Sequence, residues 1–153
     1  MSPVPPVSDL SAHIGFWLRM VSNHVSQAFA AKLAGKDVTA AEWSLMRMLY
    51  SQEPTPPSRL ADAMGMTRGA ITKLADRLIA KALIVREASA SDGRAQTLAL
   101  TERGTALVPT LAALADRNDA EFFDCLNSGE RETLVNLLKS LVERRQMSAI
   151  PIA

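Results

Sequence analysis

Arg68, Lys73, Arg77 and Lys81 fall along one helix-compatible stretch, and the only acid within it is Asp76. Cations set on a rod in this way suit phosphates, whose neutralisation supplies much of the affinity of a protein for DNA. Thr67 stands where it caps the start of that rod, so free amides and the positive end of the helix dipole face any nearby phosphate. Reading bases requires side chains in the first turns: Arg68, Gly69, Ala70, Thr72 and Lys73. Arginine pairs bidentately with guanine, and the methyls of Thr and Ala contact thymine. Ser58, at the head of the segment, joins Thr67 and Arg77 in the candidate DNA-contacting set. The chemistry on offer is recognition of a duplex.

The segment from Ser58 to Leu78 supplies the frame for that rod: two helices broken by a glycine. Ala61 must be small because the second helix crosses close above it. Gly65 takes the positive φ that ends one helix and begins a tight turn. Ile71 and Leu74 fold back onto the first helix, completing a helix-turn-helix, whose second helix enters a major groove.

Further elements surround this frame. Ser8 is placed to cap a first helix reaching about Ala34, with Leu10, Ile14, Trp17, Leu18, Val21, Val25 and Phe29 in a wide apolar stripe. Thr39 and Glu42 form a capping box that opens a second helix ending near Ser51. Glu53 to Pro57 reads as a rigid connector, with Thr55 as an N-cap and Pro56 as the first helical residue. After Ala82 the pattern alternates, predicting strands over 83–88 and 95–100 joined at Asp92-Gly93. Thr101 caps a fifth helix with a weak point near Pro109, and Ser128 opens a sixth carrying Leu134, Val135, Leu137, Leu138, Leu141 and Val142 on one face. A helix-turn-helix followed by a hairpin is a winged helix. The fold class is therefore mainly α (α+β). Residues 39–100 form the DNA-binding lobe and 8–34 with 101–146 a dimerisation lobe, within one domain spanning 1–153. The outer helices are too apolar to stand alone, and a homodimer covers them.

Composition bounds the alternatives. With 153 residues, 48% of them hydrophobic, the chain can bury one sizeable core. A formal net charge of +1 places any nucleic-acid contact in local clusters. No apolar run is long enough to span a bilayer, and the opening residues lack the basic and apolar regions of a signal peptide. DNA as partner and an absence of signal point to the cytoplasm.

In order and spacing, Leu83-Ile-Val-Arg86, Ser91-Asp92-Gly93-Arg94 and Leu98-Ala-Leu-Thr101-Glu-Arg-Gly104 resemble the wing signature of the MarR family of bacterial regulators. The resemblance covers nearly the whole chain. It implies a homodimeric regulator on a palindromic operator, usually a repressor, often released by a small aromatic or phenolic ligand. It also implies that Arg94 enters a minor groove, where a narrow A·T tract concentrates negative potential. Asp92 then orients Arg94 or bonds turn amides, and Arg86 at the wing base reaches phosphate. Ala82 stands where the family usually has glycine, which is expected to reshape the exit of the fourth helix. Family pockets between the two lobes make His13, Trp17, Arg19, His24, Trp43 and Met46 candidates for lining a ligand site.

Other chemistries find little support. His13 and His24 are separated along one helix by about 16 Å at ~1.5 Å per residue, too far to share a metal. No phosphate-cradling glycine loop, nucleophile elbow or metal-ligand spacing is present, so neither an enzyme nor a cofactor is expected. Cys125, the single cysteine, is expected to be a buried, inert thiol. The competing readings are a winged-helix interaction module that does not bind DNA and a thiol-based redox sensor.

Overall fold

The computed structural model describes residues 1–89 and 95–151. Its elements run α1 (Ile14–Ala34), α2 (Ala40–Leu49), α3 (Pro57–Met64), α4 (Arg68–Ala80), β1 (Ile84–Ala88), β2 (Gln96–Leu100), α5 (Glu102–Phe122) and α6 (Ser128–Arg144). The strands pair antiparallel, with Ile84 opposite Leu100 and Ala88 opposite Gln96. This is the expected winged helix-turn-helix between terminal helices.

Local capping explains most boundaries. Thr39 accepts from the Glu42 amide at 3.1 Å, and Glu42 Oε1 accepts from the Thr39 amide at 2.9 Å, closing the capping box of α2. Gly65 ends α3 in the left-handed region at φ 64. Thr67 accepts from the Ala70 amide and Thr101 from the Gly104 amide, starting α4 and α5. Helix α5 runs unbroken through Pro109, which is exposed, so water can serve the carbonyl left without an amide partner.

Three boundaries differ from expectation. Ser8 does not cap α1; a 3-10 turn occupies Leu10–Ala12, and His13 begins α1 without a side-chain cap bond. The Trp17 indole donates to the Ser11 carbonyl at 2.9 Å, engaging the acceptor that a continuous helix would have offered to the next turn. Thr55 does not cap α3, because its amide and carbonyl bond Leu98 at 2.9 and 2.8 Å as a one-residue third strand. Pro56 takes the N-cap instead. Helix α6 is capped by Asn127 with Glu130, and Ser128 becomes its first residue.

The core lies in the central lobe. Leu45, Met46 and Leu49 of α2, Leu60 and Met64 of α3, and Ile71, Leu74 and Leu78 of α4 are buried together with Ile84, Leu98, Val108 and Leu111. Ala61 and Ala75 are buried too, as the close crossing of α3 and α4 requires. By contrast, α6 has no buried residue and α1 has only Leu33. After α6, the chain returns to this lobe: the Ile150 amide bonds the Ala63 carbonyl at 3.3 Å.

Ala82 keeps the conformation that suits a glycine. It sits at φ 61, with its amide on the Ile79 carbonyl and its own carbonyl accepting the Thr101 hydroxyl at 2.7 Å. The backbone exit of α4 is thus held in the left-handed region despite the Cβ strain. Relief of that strain, less the greater freedom glycine gives the unfolded chain, is expected to make Ala82→Gly more stable by roughly 0.5–1 kcal/mol in urea unfolding.

Candidate nucleic-acid interface

Helix α4 is amphipathic across its width. Ile71, Leu74, Ala75 and Leu78 are buried against the core, whereas Arg68, Gly69, Thr72, Lys73, Asp76 and Arg77 are exposed. Ala70 is half-buried at the first turn, and Thr67 is exposed at the cap. Among the described residues, no ion pair or hydrogen bond engages the side chains of Arg68, Lys73 or Arg77. Their charges therefore face solvent. Thr72 donates its hydroxyl to the Arg68 carbonyl at 2.9 Å, leaving its methyl and its oxygen lone pairs for an outside partner. Gly69 has room for a side chain, since a Cβ there would meet only the Thr67 Oγ1 at 4.0 Å. A helical glycine without a packing reason lowers helix stability by about 1 kcal/mol relative to alanine, but lets another surface approach closely.

The one acid on this face is locally neutralised. Arg86 of β1 donates to Asp76 Oδ1 at 2.5 Å, tying the root of the wing to α4. This exposed pair contributes little to stability, yet it removes a repulsive charge from the basic surface. Lys81, grouped with the α4 cations by its spacing, is instead engaged by Glu42 and Asp37. Arg59 is a further exposed cation, on α3, the helix that crosses the DNA backbone in motifs of this kind. Its only sequence signal is a cation just inside a Pro-Pro-Ser helix start. Ser58 is half-buried beside it. Asp92 and Arg94 lie outside the described residues.

Comparisons with known proteins fit this geometry. A family model described as MarR family matches residues 36–95. A relative from Thauera aromatica, bearing the name of a transcriptional regulatory protein for the hcr operon, is 31% identical over 144 residues, covering 94% of this chain and 86% of that protein. The chain belongs to the MarR family of transcriptional regulators. A cysteine-to-serine variant of MarR from E. coli, complexed with operator DNA, superposes with a TM-score of 0.77 at 27% identity, covering 88% of this chain and 99% of that one. A MarR-family transcriptional regulator from Rhodococcus sp. RHA1 gives 0.77 at 25% identity, covering 92% and 99%.

In this MarR-family chain the six candidate ligand residues do not share one site. His13, Arg19 and His24 line a cavity of about 500 Å³ along α1, with Phe16 and Met20. Trp43 lines a second, of about 520 Å³, between α1, α2 and α5. Phe29, Ala115 and Asn118 share that second cavity, and Pro151 of the returning C-terminal segment closes part of it. Met46 is fully buried in the core and borders neither cavity, while Trp17 is turned to the Ser11 carbonyl. Cys125 is exposed in the α5–α6 turn, contrary to the expected buried thiol. Its Sγ lies 4.0 Å from the Phe122 carbonyl, and short turns such as this one cover little surface. Among the described residues no cluster of His, Cys, Asp or Glu could hold a metal ion, and no helix is long and apolar enough to cross a membrane.

Proposed function

We propose that this MarR-family regulator acts as a cytoplasmic homodimer that represses transcription from a two-fold operator. The observation that carries the reading is the exposed face of α4, on which Arg68, Lys73 and Arg77 remain free of partners among the described residues. Residues 39–100 form the DNA-reading lobe, with Ser58, Thr67, Gly69, Ala70, Thr72 and Arg86 beside those cations and Asp92 and Arg94 completing the wing. Residues 8–34 and 101–146 form the dimer lobe. Two α4 helices then enter successive major grooves about 34 Å apart.

A small aromatic or phenolic effector is placed in the cavity of about 520 Å³, because that cavity touches α1 and α5 of one lobe and α2 of the other. Its Trp43 and Phe29 offer apolar contact, and Ser44 and Asp119 stand at its polar side. An effector releases DNA only by favouring a dimer with a different α4 separation.

The test is a salt-titrated anisotropy measurement on a duplex from the gene's own upstream region. Affinity should fall linearly on log axes, with a slope of about −0.9 per phosphate neutralised. The double variant Arg68→Ala, Lys73→Ala should bind at least about ten-fold more weakly, with a slope shallower by roughly one unit for each phosphate no longer neutralised. Salt-independent binding, or a double variant equal to the parent, overturns the assignment. Addition of 4-hydroxybenzoate to the same complex tests the effector arm separately.

A further inference from the structure

Glu42 is the one acidic or basic residue buried among the described residues, with 1% of its surface exposed. It lies in the first turn of α2, away from the basic face. Lys81, the C-terminal cap of α4, places its Nζ 3.1 Å from each carboxylate oxygen of Glu42. The same ammonium donates to the Asp37 carbonyl at 2.6 Å, and the Asp37 carboxylate stands 3.9 Å away. Asp37 holds a left-handed backbone at φ 56, which shapes the loop before α2 around this contact. Glu42 Oε1 also accepts the Thr39 amide, so the carboxylate is anchored to the start of α2.

Stability alone is a poor reason for such a pair, because well-packed apolar side chains often do as well in the same volume. The apolar driving force that brings α2 and α4 together is non-directional. Three short contacts from one ammonium, to both oxygens of an anchored carboxylate and to the Asp37 carbonyl, tie the end of α4 to the start of α2 at a defined place. Recognition surfaces need their elements held within about 0.5 Å and 10–20°.

We propose that Glu42 and Lys81 form a positioning link that sets the rotation and depth of α4 for DNA reading. The proposal deepens the assignment of α4 and rests on it. Neither residue is asked to touch DNA; both act through the placement of Arg68, Lys73 and Arg77.

The experiment compares full-length Glu42→Gln, Lys81→Gln, the double variant, Lys81→Arg and Arg68→Ala in the anisotropy assay, with thermal melts run in parallel. Glu42→Gln keeps an oxygen for the Thr39 amide and removes only the charge. Each glutamine single, folded at the assay temperature, should bind about ten-fold more weakly, with a salt slope shallower by about one unit as one phosphate goes unneutralised. The double variant should bind no more weakly than the weaker single, since two halves of one link are non-additive. Lys81→Arg, which keeps the charge but not the compact ammonium, should bind more tightly than Lys81→Gln.

Melting temperatures that fall while affinity and slope of the folded protein hold would reduce the pair to a stabilising contact and overturn the proposal. A loss confined to Lys81→Gln would mean that Lys81 meets phosphate directly, which also overturns it. If either single melts below the assay temperature, the double variant, which leaves no unpaired charge, decides. Arg68→Ala separates the two failures. Weakened binding there, with Glu42→Gln unchanged, defeats the link alone; no effect from Arg68→Ala defeats the assignment of α4 and the link together.

Discussion

Leu137→Glu combined with Leu141→Glu is expected to give a folded monomer whose affinity for operator DNA is at least about 100-fold lower, through loss of linked half-site binding. The basis is the state of α6 in a single chain. Val135, Leu137, Leu138, Leu141 and Val142 are all exposed, Leu137 at 60%. On α1, Ile14, Trp17, Leu18 and Val21 are exposed as well. Large apolar side chains left exposed along a helix face in this number mark an interaction surface. A second copy is the occupant favoured by the two-fold DNA reading, and closed two-fold dimers are the commonest assemblies. Four carboxylates driven into that interface would be desolvated without partners, at several kcal/mol each. The core of the central lobe contains no α6 residue, so each subunit should keep its fold. Sedimentation velocity and far-ultraviolet circular dichroism check both halves; a variant that remains dimeric places the interface elsewhere.

Gly104→Ala should be the most destabilising glycine-to-alanine change among the described residues. A Cβ built there would stand 2.1 Å from the Leu83 carbonyl oxygen and 3.2 Å from Leu100 Cδ2. The oxygen belongs to the backbone, so no rotamer change gives way. The surroundings are also tied down: the Thr101 amide bonds that same Leu83 oxygen at 3.1 Å, and the Thr101 hydroxyl bonds Ala82. Separating α5 from the wing root should cost about 3 kcal/mol, the upper part of the range for overpacking. For a chain of this size that corresponds to a melting point lower by roughly 10 °C. Gly15→Ala is the control, because a Cβ there meets nothing within 4 Å. Equal melting points for the two variants would refute the close-approach argument.

What the sequence reveals divides along range. Thr39, Gly65, Thr67 and Thr101 announce their roles because caps and left-handed turns are decided within four residues. The buried face of α4 is equally plain from its period. The unexpected features are those that depend on residues distant in sequence. Lys81 looks like a fourth basic-face cation until Glu42 is brought beside it by the packing of α2 against α4. The partner of Arg86 is equally hidden, since only the sheet brings its guanidinium to Asp76. Thr55 before Pro56 has every local mark of an N-cap, and Leu98 overrides that signal with two backbone bonds. The ligand candidates gathered from resemblance divide for the same reason: His13, Arg19 and His24 share a cavity along α1, while packing turns Trp43 of α2 to another and Met46 into the core.

The one-residue strand at Thr55 also protects the protein from its own kind. It covers the outer side of β2, which would otherwise offer a row of unpaired amides and carbonyls to any extended chain. Pro54 and Pro56 flank it, and neither has an amide hydrogen to donate. A foreign strand therefore has little to grip beyond Thr55. On the far side, β1 presents Arg86 and Glu87, charges that discourage stacking in register. A sheet of only two strands is thereby kept from seeding aggregates in a crowded cell.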